Sequence, residues 1–327
     1  MNNNNPRVSI GLPVFNGEKY LKEAIDAILA QTFQNFELII SDNGSTDHTR
    51  QICLDYASRE PRIRYYRNKK NLGGPNNYNQ VFKLSLGEYF KWAACDDLIA
   101  PEFLTKCVRV LDHNPSILGC YCKSGRINKD GVLLDYYNQG LLKKIDSLKA
   151  RERFRDLIGL RYTTTPFYGL YRTKLFAKTP LQGSYIGADR NLVAELGLMG
   201  RIYEIPECLF FWRDHPDSYT SIFYGRNRVN SLDRLLMAAA WWGKKSFTRF
   251  PHWKNCVEYF RSVNHVSLSV SDRILCYVQI FRWFLEEGYR FMAQDIIFFL
   301  MQNSNLAYKI IPYIRVILKR PFQIKRK

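Results

Sequence analysis

An α/β fold, with a mostly parallel sheet flanked by helices and a helical C-terminal region, is predicted by three features of this 327-residue chain. Short β-branched runs alternate with stretches of helical spacing through roughly the first hundred residues, which is the pattern of βαβ units. Polar loops rich in Asn, Asp and Gly follow those runs, and from residue 219 onward apolar residues recur at three- and four-residue intervals.

Arg7–Leu12 (RVSIGL) reads as a strand, and Pro13-Val14-Phe15-Asn16-Gly17 as the loop after it. From Glu18 onward, Leu21, Ile25, Ile28 and Leu29 fall on one helical face. Glu37–Ser41 (ELIIS) is a second buried strand running into Asp42-Asn43-Gly44-Ser45-Thr46-Asp47, where Ser45 or Thr46 is expected to cap the next helix. Arg62–Tyr66 is a third strand, Pro75–Leu86 a helix, and Glu88–Ala93 (EYFKWA) a fourth strand ending at Cys95-Asp96-Asp97. In such sheets ligands bind beyond the carboxyl ends of the strands. Asn16, Asp42, Asn43, Asp96 and Asp97 all follow a strand, so they are expected to converge on that edge. Further along, Thr163–Arg172 reads as a loop and strand, Arg190–Leu198 as a helix and Cys208–Trp212 as a strand.

Adjacent carboxylates such as Asp96 and Asp97 repel one another, and a hard divalent cation offsets that repulsion. Mg2+ or Mn2+ held through one or two carboxylates, with substrate phosphates completing the shell, is the common arrangement. The plain alternative is that the pair caps the helix beginning near Pro101. No GxGxxG follows the first strand and no GxxxxGK[ST] occurs, which disfavours a dinucleotide site and a P-loop.

Three segments, VSIGLPVFNGEKYLKEAIDAILAQTFQNFELIISDNGSTDHT, NLGGPNNYNQ and GEYFKWAACDDLIAPEFL, cover residues 7–104 almost without gaps. Together they resemble the family 2 inverting glycosyltransferases of the GT-A fold, of the bacterial polysaccharide or glycolipid type. The resemblance implies a nucleoside-diphosphate sugar as donor, most commonly a uridine diphosphate sugar, and a pocket lined by Pro13, Phe15 and Asn16 with Glu18 close by. It implies a base contact from Asp42, pocket-wall roles for Asn71 and Asn77, a ribose contact from Asp96 and a metal ligand in Asp97. Cys95-Asp96-Asp97 stands where the family carries its DxD, with a thiol in the place of the first carboxylate. At the helix after Tyr185-Ile186-Gly187-Ala188, relatives carry an acidic pair whose second member acts as base; here Asp189 stands alone in that role. Phe211-Trp212-Arg213-Asp214-His215-Pro216 resembles the family segment whose His reaches the metal or diphosphate, and Arg213 would neutralise the diphosphate.

The formal charge of +18 raises a different possibility, a nucleic-acid binder. Residues 1–113 carry a net +1, residues 114–218 a net +5 and residues 219–327 a net +12. Charge concentrated in one region implies a local electrostatic partner for that region. The chain shows no nucleic-acid reading module, and the nearly neutral first third gives a nucleic-acid binder nothing to do. A sugar nucleotidyltransferase is the second rival, but Pro13-Val14-Phe15-Asn16-Gly17 replaces the Gly-rich basic loop it would carry. Residues 301–327 hold seven basic side chains and no acidic ones among apolar residues. That mixture suits an anionic membrane surface and a lipid-linked or glycan acceptor presented there. Eight cysteines without a CxxC pair, and no apolar run after Met1, point to reduced thiols and to the cytoplasmic face of the membrane. The expected division is a catalytic unit over residues 1–218 and a helical, basic region over residues 219–327, with helices expected over Val229–Trp242, His252–Val263, Ser271–Gly288 and Tyr289–Met301.

Overall fold

The computed structural model describes residues 5–137, 142–159, 165–185, 187–216, 218 and 250–303. Strand β1 (Val8–Val14), helix α1 (Leu21–Leu29), β2 (Phe36–Asp42), α2 (Thr49–Arg59), β3 (Ile63–Arg67), α3 (Gly74–Lys83) and β4 (Tyr89–Trp92) form the first half. Each strand predicted there is present, displaced by one or two residues at its ends. These four strands pair in parallel, with β1 between β2 and β4. Every residue of β1 and β2 is buried, as a parallel sheet covered on both faces requires. The register sets Val14 beside Asp42, so the loops after β1 and β2 leave the sheet together.

The second half adds β5 (Leu98–Ile99), α4 (Phe103–His113), β6 (Ile117–Ile127), β7 (Leu133–Tyr137), α5 (Ala150–Ile158), β8 (Leu170–Arg172), α6 (Thr173–Phe176), α7 (Ala188–Met199) and β9 (Arg201–Arg213). The described strands form one sheet in the order β3-β2-β1-β4-β8-β6-β9-β5, with β7 also on β6. Strand β8 is antiparallel to both β4 and β6, and β6 runs parallel to β9. Consequently β9 runs in the same direction as β1–β4 and ends at the same edge. Because α7 leads into β9 through Gly200 alone, the helix runs back along the strand, and its first turn also lies at that edge.

The sheet separates two apolar layers. Helices α1, α2 and α4 cover one face through Ile25, Cys53, Leu104 and Val108. On the other face α3, α5 and α7 surround an aromatic knot of Phe82, Phe90, Trp92 and Phe176, with ring centroids 4.9–5.6 Å apart. The C-terminal helices α8 (Pro251–His265), α9 (Val270–Trp283) and α10 (Tyr289–Asn303) extend this second layer, with Tyr259 and Trp283 in its core. Buried Glu195 of α7 accepts from Ser262 Oγ at 2.6 Å and lies 2.7 Å from His265 Nδ1, fixing α8 to the second layer. The expected helix Ser271–Gly288 divides, because residues Phe284–Gly288 wind as a π turn between α9 and α10. The helix expected over Val229–Trp242, and the basic segment beyond residue 303, lie outside the described residues.

Candidate active site

Two loops are zipped together at the carboxyl edge. Asn16, held at φ 51°, donates its N–H to Ser45 Oγ at 2.9 Å and accepts the Thr46 N–H on Oδ1 at 2.9 Å. Asn tolerates this left-handed conformation better than most residues. Glu18 N–H donates to Asp47 Oδ2 at 3.1 Å, and Glu18 Oε2 accepts the His48 N–H at 2.8 Å. The His48 N–H, aided by His48 Nδ1 at 2.7 Å, holds the Glu18 carboxyl below its ordinary range. Ser45 and Thr46, expected as caps of α2, instead bond to Asn16. The N–H of Thr49 is taken by Asp47 Oδ1 at 3.0 Å, so Asp47 both serves the helix start and binds the first loop. Pro13 is buried within β1 opposite Ser41, while Phe15 projects from the loop, 45% exposed.

Asp42 is fully buried. Its carboxylate accepts from Ser45 N–H at 2.8 Å and Tyr65 OH at 2.9 Å, and pairs with Arg67 Nε at 3.1 Å. The Asp42 carboxylate is thereby bonded within the protein to three residues at the ends of β2 and β3. An amide network lies beside it. Asn43 donates to Asn71 Oδ1 at 2.8 Å and accepts from Asn68 Nδ2 at 3.1 Å, and Asn77 donates to Ser41 O at 2.8 Å and accepts from Ser41 Oγ at 2.6 Å. Asn77 is thereby buried against β2, whereas Asn71 shapes the turn that opens α3 by accepting the Gly73 N–H at 2.8 Å. Tyr65, Arg67 and Asn68 were not foreseen; all three fall at the end of β3, where the same carboxyl-edge rule would have found them.

The acidic pair follows β4. The N-terminus of α4 takes no side-chain cap, so capping does not account for Asp96 and Asp97. Asp96 Oδ2 lies 3.0 Å from His215 Nε2, and Asp97 Oδ1 accepts the Arg213 N–H at 3.0 Å. Burial first, and the neighbouring Asp96 charge second, push the Asp97 carboxyl well above the usual carboxylate range. Beneath the pair, Lys91 is a buried cation that donates to Trp92 O at 2.8 Å, and burial pulls its amine down to about 8. The signal for Lys91 was a lysine inside the otherwise buried run EYFKWA.

Arg213, expected at the diphosphate, has its guanidinium buried and bonded within the protein. It donates to Asp96 O at 2.9 Å, Lys129 O at 3.1 Å and Glu23 Oε2 at 2.7 Å, and stacks on Tyr20 at 4.6 Å. Arg213 thus ties the end of β9 to the backbone of Asp96 and Lys129 and to Glu23 of α1. His215 is also buried, 4.7 Å from the Tyr20 ring, and its Nδ1 has no hydrogen-bond partner among the described residues. Asp189 sits in the first turn of α7, half-buried, with Gly187 at φ 81° turning the chain into the helix.

Among the described residues, no group of three or more His, Cys, Asp and Glu side chains is clustered so as to hold a metal unaided. The groups present are nevertheless of the right kind: two carboxylates, one with an imidazole against it, and an imidazole nitrogen left without a partner. Carboxylate oxygens and an imidazole suit Mn2+ or Mg2+ when a substrate diphosphate supplies the remaining ligands.

The doubly covered sheet, the zipped loops and the acidic pair define a GT-A fold with a site at its carboxyl edge. The chain belongs to glycosyl transferase family 2, whose model matches residues 9–178. It is similar to an uncharacterized glycosyltransferase of Rickettsia typhi, 40% identical over 111 residues, or 34% of each chain. A second, from Haemophilus influenzae, is 26% identical over 67% of this chain and 69% of its own length. The match to the Rickettsia typhi protein thus spans about a third of that relative. In fold the chain resembles residues 1–349 of S. aureus TarS, solved in complex with UDP-GlcNAc, with a TM-score of 0.55 at 17% identity over 94% of this chain and 92% of that one.

Proposed function

We propose that the chain transfers a sugar from a nucleoside-diphosphate sugar, a uridine diphosphate sugar foremost, to a hydroxyl of a glycan or lipid-linked acceptor in cell-surface polysaccharide or glycolipid synthesis. The observation that carries this reading is the meeting of Asp96, Asp97 and His215, drawn from β4 and β9, at the edge where the β1 and β2 loops are zipped. The S. aureus neighbour binds UDP-GlcNAc on the same fold, which supports a uridine donor. Residues 1–218 form the catalytic unit in this reading, and residues 219–327 attach it to the cytoplasmic face of a membrane.

An inverting transfer is a single displacement. The acceptor oxygen bonds to the anomeric carbon as the bond to the diphosphate breaks, and the hydroxyl proton passes to a base. Asp189 takes that proton, at a separation of about 2.6–3.2 Å in the productive complex. Asp97 and His215 would hold Mn2+ or Mg2+, which would offset charge on the departing diphosphate. Arg213 keeps Asp96 and Asp97 in register, and Phe15, Asn16 and Asn71 border the nucleoside.

Thermal-shift titration with sugar nucleotides, with and without Mn2+, tests this. A ligand at a hundredfold excess over its Kd raises stability by about 2.7 kcal/mol. A uridine diphosphate sugar is expected to raise the Tm, further with Mn2+, and Asp97→Ala to abolish the Mn2+ increment. No response to any sugar nucleotide would overturn the reading. Turnover of a nucleoside triphosphate with a sugar phosphate would favour the nucleotidyltransferase, and salt-dependent RNA binding without sugar-nucleotide hydrolysis the nucleic-acid binder.

A further inference from the structure

The C-terminal helices carry an apolar surface that the fold does not use. On α8, Trp253, Val257 and Phe260 recur at four- and three-residue spacing, and on α9 so do Ile274, Val278 and Phe281. These six side chains are between 41% and 61% exposed. The inward faces of the same helices are occupied by Tyr259, Val263, Cys276 and Ile280, so the two stripes are a second apolar face and not the edge of the core. The stripes adjoin: Phe260 packs on Tyr277 with ring centroids 5.6 Å apart, and Tyr277 OH donates to Asn264 Oδ1 at 2.8 Å. A contiguous exposed apolar patch of this kind marks a partner surface.

Charge identifies the partner. Residues 250–303 carry five Lys and Arg against five Asp and Glu, so the surface itself is neutral. The whole C-terminal excess lies on either side of it in sequence, with a net +5 over residues 219–249 and a net +7 over residues 304–327. An apolar face flanked in sequence by polybasic segments matches an anionic bilayer, where apolar side chains enter the acyl boundary and basic residues are drawn to the anionic headgroups. No helix among the described residues is long and apolar enough to cross a membrane.

We infer that the α8–α9 face, Trp253, Val257, Phe260, Ile274, Val278 and Phe281, seats the protein on an anionic membrane surface. This rests on the proposed transfer to an acceptor at that surface, and it moves the apolar contact from the terminal segment to a folded two-helix face. Helix α8 is bound through Glu195 to α7, the helix whose first turn carries Asp189, so the membrane contact is joined to the candidate base.

Co-sedimentation of the full chain with phosphatidylcholine vesicles, with and without a quarter of phosphatidylglycerol, tests it. Wild type is expected to pellet with the anionic vesicles, and the double variant I274D/F281D to bind at least about tenfold more weakly, since charged groups resist burial in acyl chains. The variant should keep the thermal-shift response to a uridine diphosphate sugar, because neither position lies in the site. Equal vesicle binding by wild type and variant would overturn the inference, leaving the basic segments as sufficient. So would absence of wild-type binding, or a dimer in light scattering that I274D/F281D converts to a monomer, which would make the face a self-interface. Failure of the donor reading would appear separately, as loss of the thermal-shift response in wild type.

Discussion

Arg213 and Asp189 are both polar residues placed at the carboxyl edge, yet their surroundings give them different tasks. The Arg213 guanidinium is buried and bonded to Asp96 O, Lys129 O and Glu23. Arg213→Ala would leave buried carbonyls without a donor, and charge-assisted bonds of this kind are worth about 1.5–3 kcal/mol. The expected outcome is a loss of at least about 2 kcal/mol in urea unfolding, together with a lost Mn2+ increment, because the backbone under Asp96 and Asp97 moves. Asp189→Asn is expected to do the reverse: unchanged unfolding and unchanged donor binding, with turnover lower by about 10²–10⁴, the usual contribution of a general base. If Asp189→Asn kept wild-type turnover, the base would have to be sought elsewhere. The types and positions of these residues were legible in the sequence, but burial was not. An Arg two residues before a His reads equally as a diphosphate ligand or as a buried strut, and only packing against Tyr20 decides between them.

At the scale of elements, the strands that could be read were those buried on both faces with β-branched residues, such as ELIIS in β2. Strand β6, at the centre of the second half, could not be read that way. Its sequence ILGCYCKSGRI mixes Gly, Lys, Ser and Arg with apolar residues, yet nearly every position is buried between β8 and β9. Tertiary burial overrides a weak strand pattern there. The cap of α2 failed for a related reason: Ser45 and Thr46 are good caps by type, but the first loop claims them, and Asp47 serves instead. Asp47→Ala should therefore cost more than an ordinary cap, about 1 kcal/mol, because it also frees the Glu18 N–H. Its measurable mark is a drop in Tm accompanied by weaker uridine nucleotide binding. Gly87 offers a cleaner test of how closely β1 and β4 are joined. A Cβ there would lie 2.6 Å from Ser9 N and 2.8 Å from Val8 C, both backbone atoms that cannot turn aside. Gly87→Ala should destabilise the fold by about 1–3 kcal/mol or more in urea unfolding, with the nucleotide response intact in whatever fraction folds.

Across the whole molecule, charge is sorted by location. The acidic pair and its cations occupy the carboxyl edge, the basic excess lies in the C-terminal third, and a separate ion network ties down the start of β1. There Arg7 contacts Asp112 Oδ1 at 2.7 Å and Glu88 Oε2 at 3.0 Å, while Tyr89 OH donates to Asp112 at 2.7 Å. The hydrogen bond from Arg7, aided by that from Tyr89, holds the Asp112 carboxyl below its ordinary range. A carboxyl whose folded value is depressed stabilises the fold fully above its unfolded value, about 3.9, and loses that contribution as pH falls through the folded value. Asp112→Asn cannot make the ionic bond at any pH. The stability gap between wild type and Asp112→Asn is therefore expected to be constant from neutral pH down to about pH 5 and to close steadily below about pH 4. Urea midpoints at a series of pH values would show it, and a gap that persisted at the lowest pH would mean that Asp112 acts by packing rather than by charge. Because this network lies at the opposite edge of the sheet from Asp97 and Asp189, the same substitution should leave uridine nucleotide binding at neutral pH unchanged, so acid lability of the fold and activity of the site are separable in one protein.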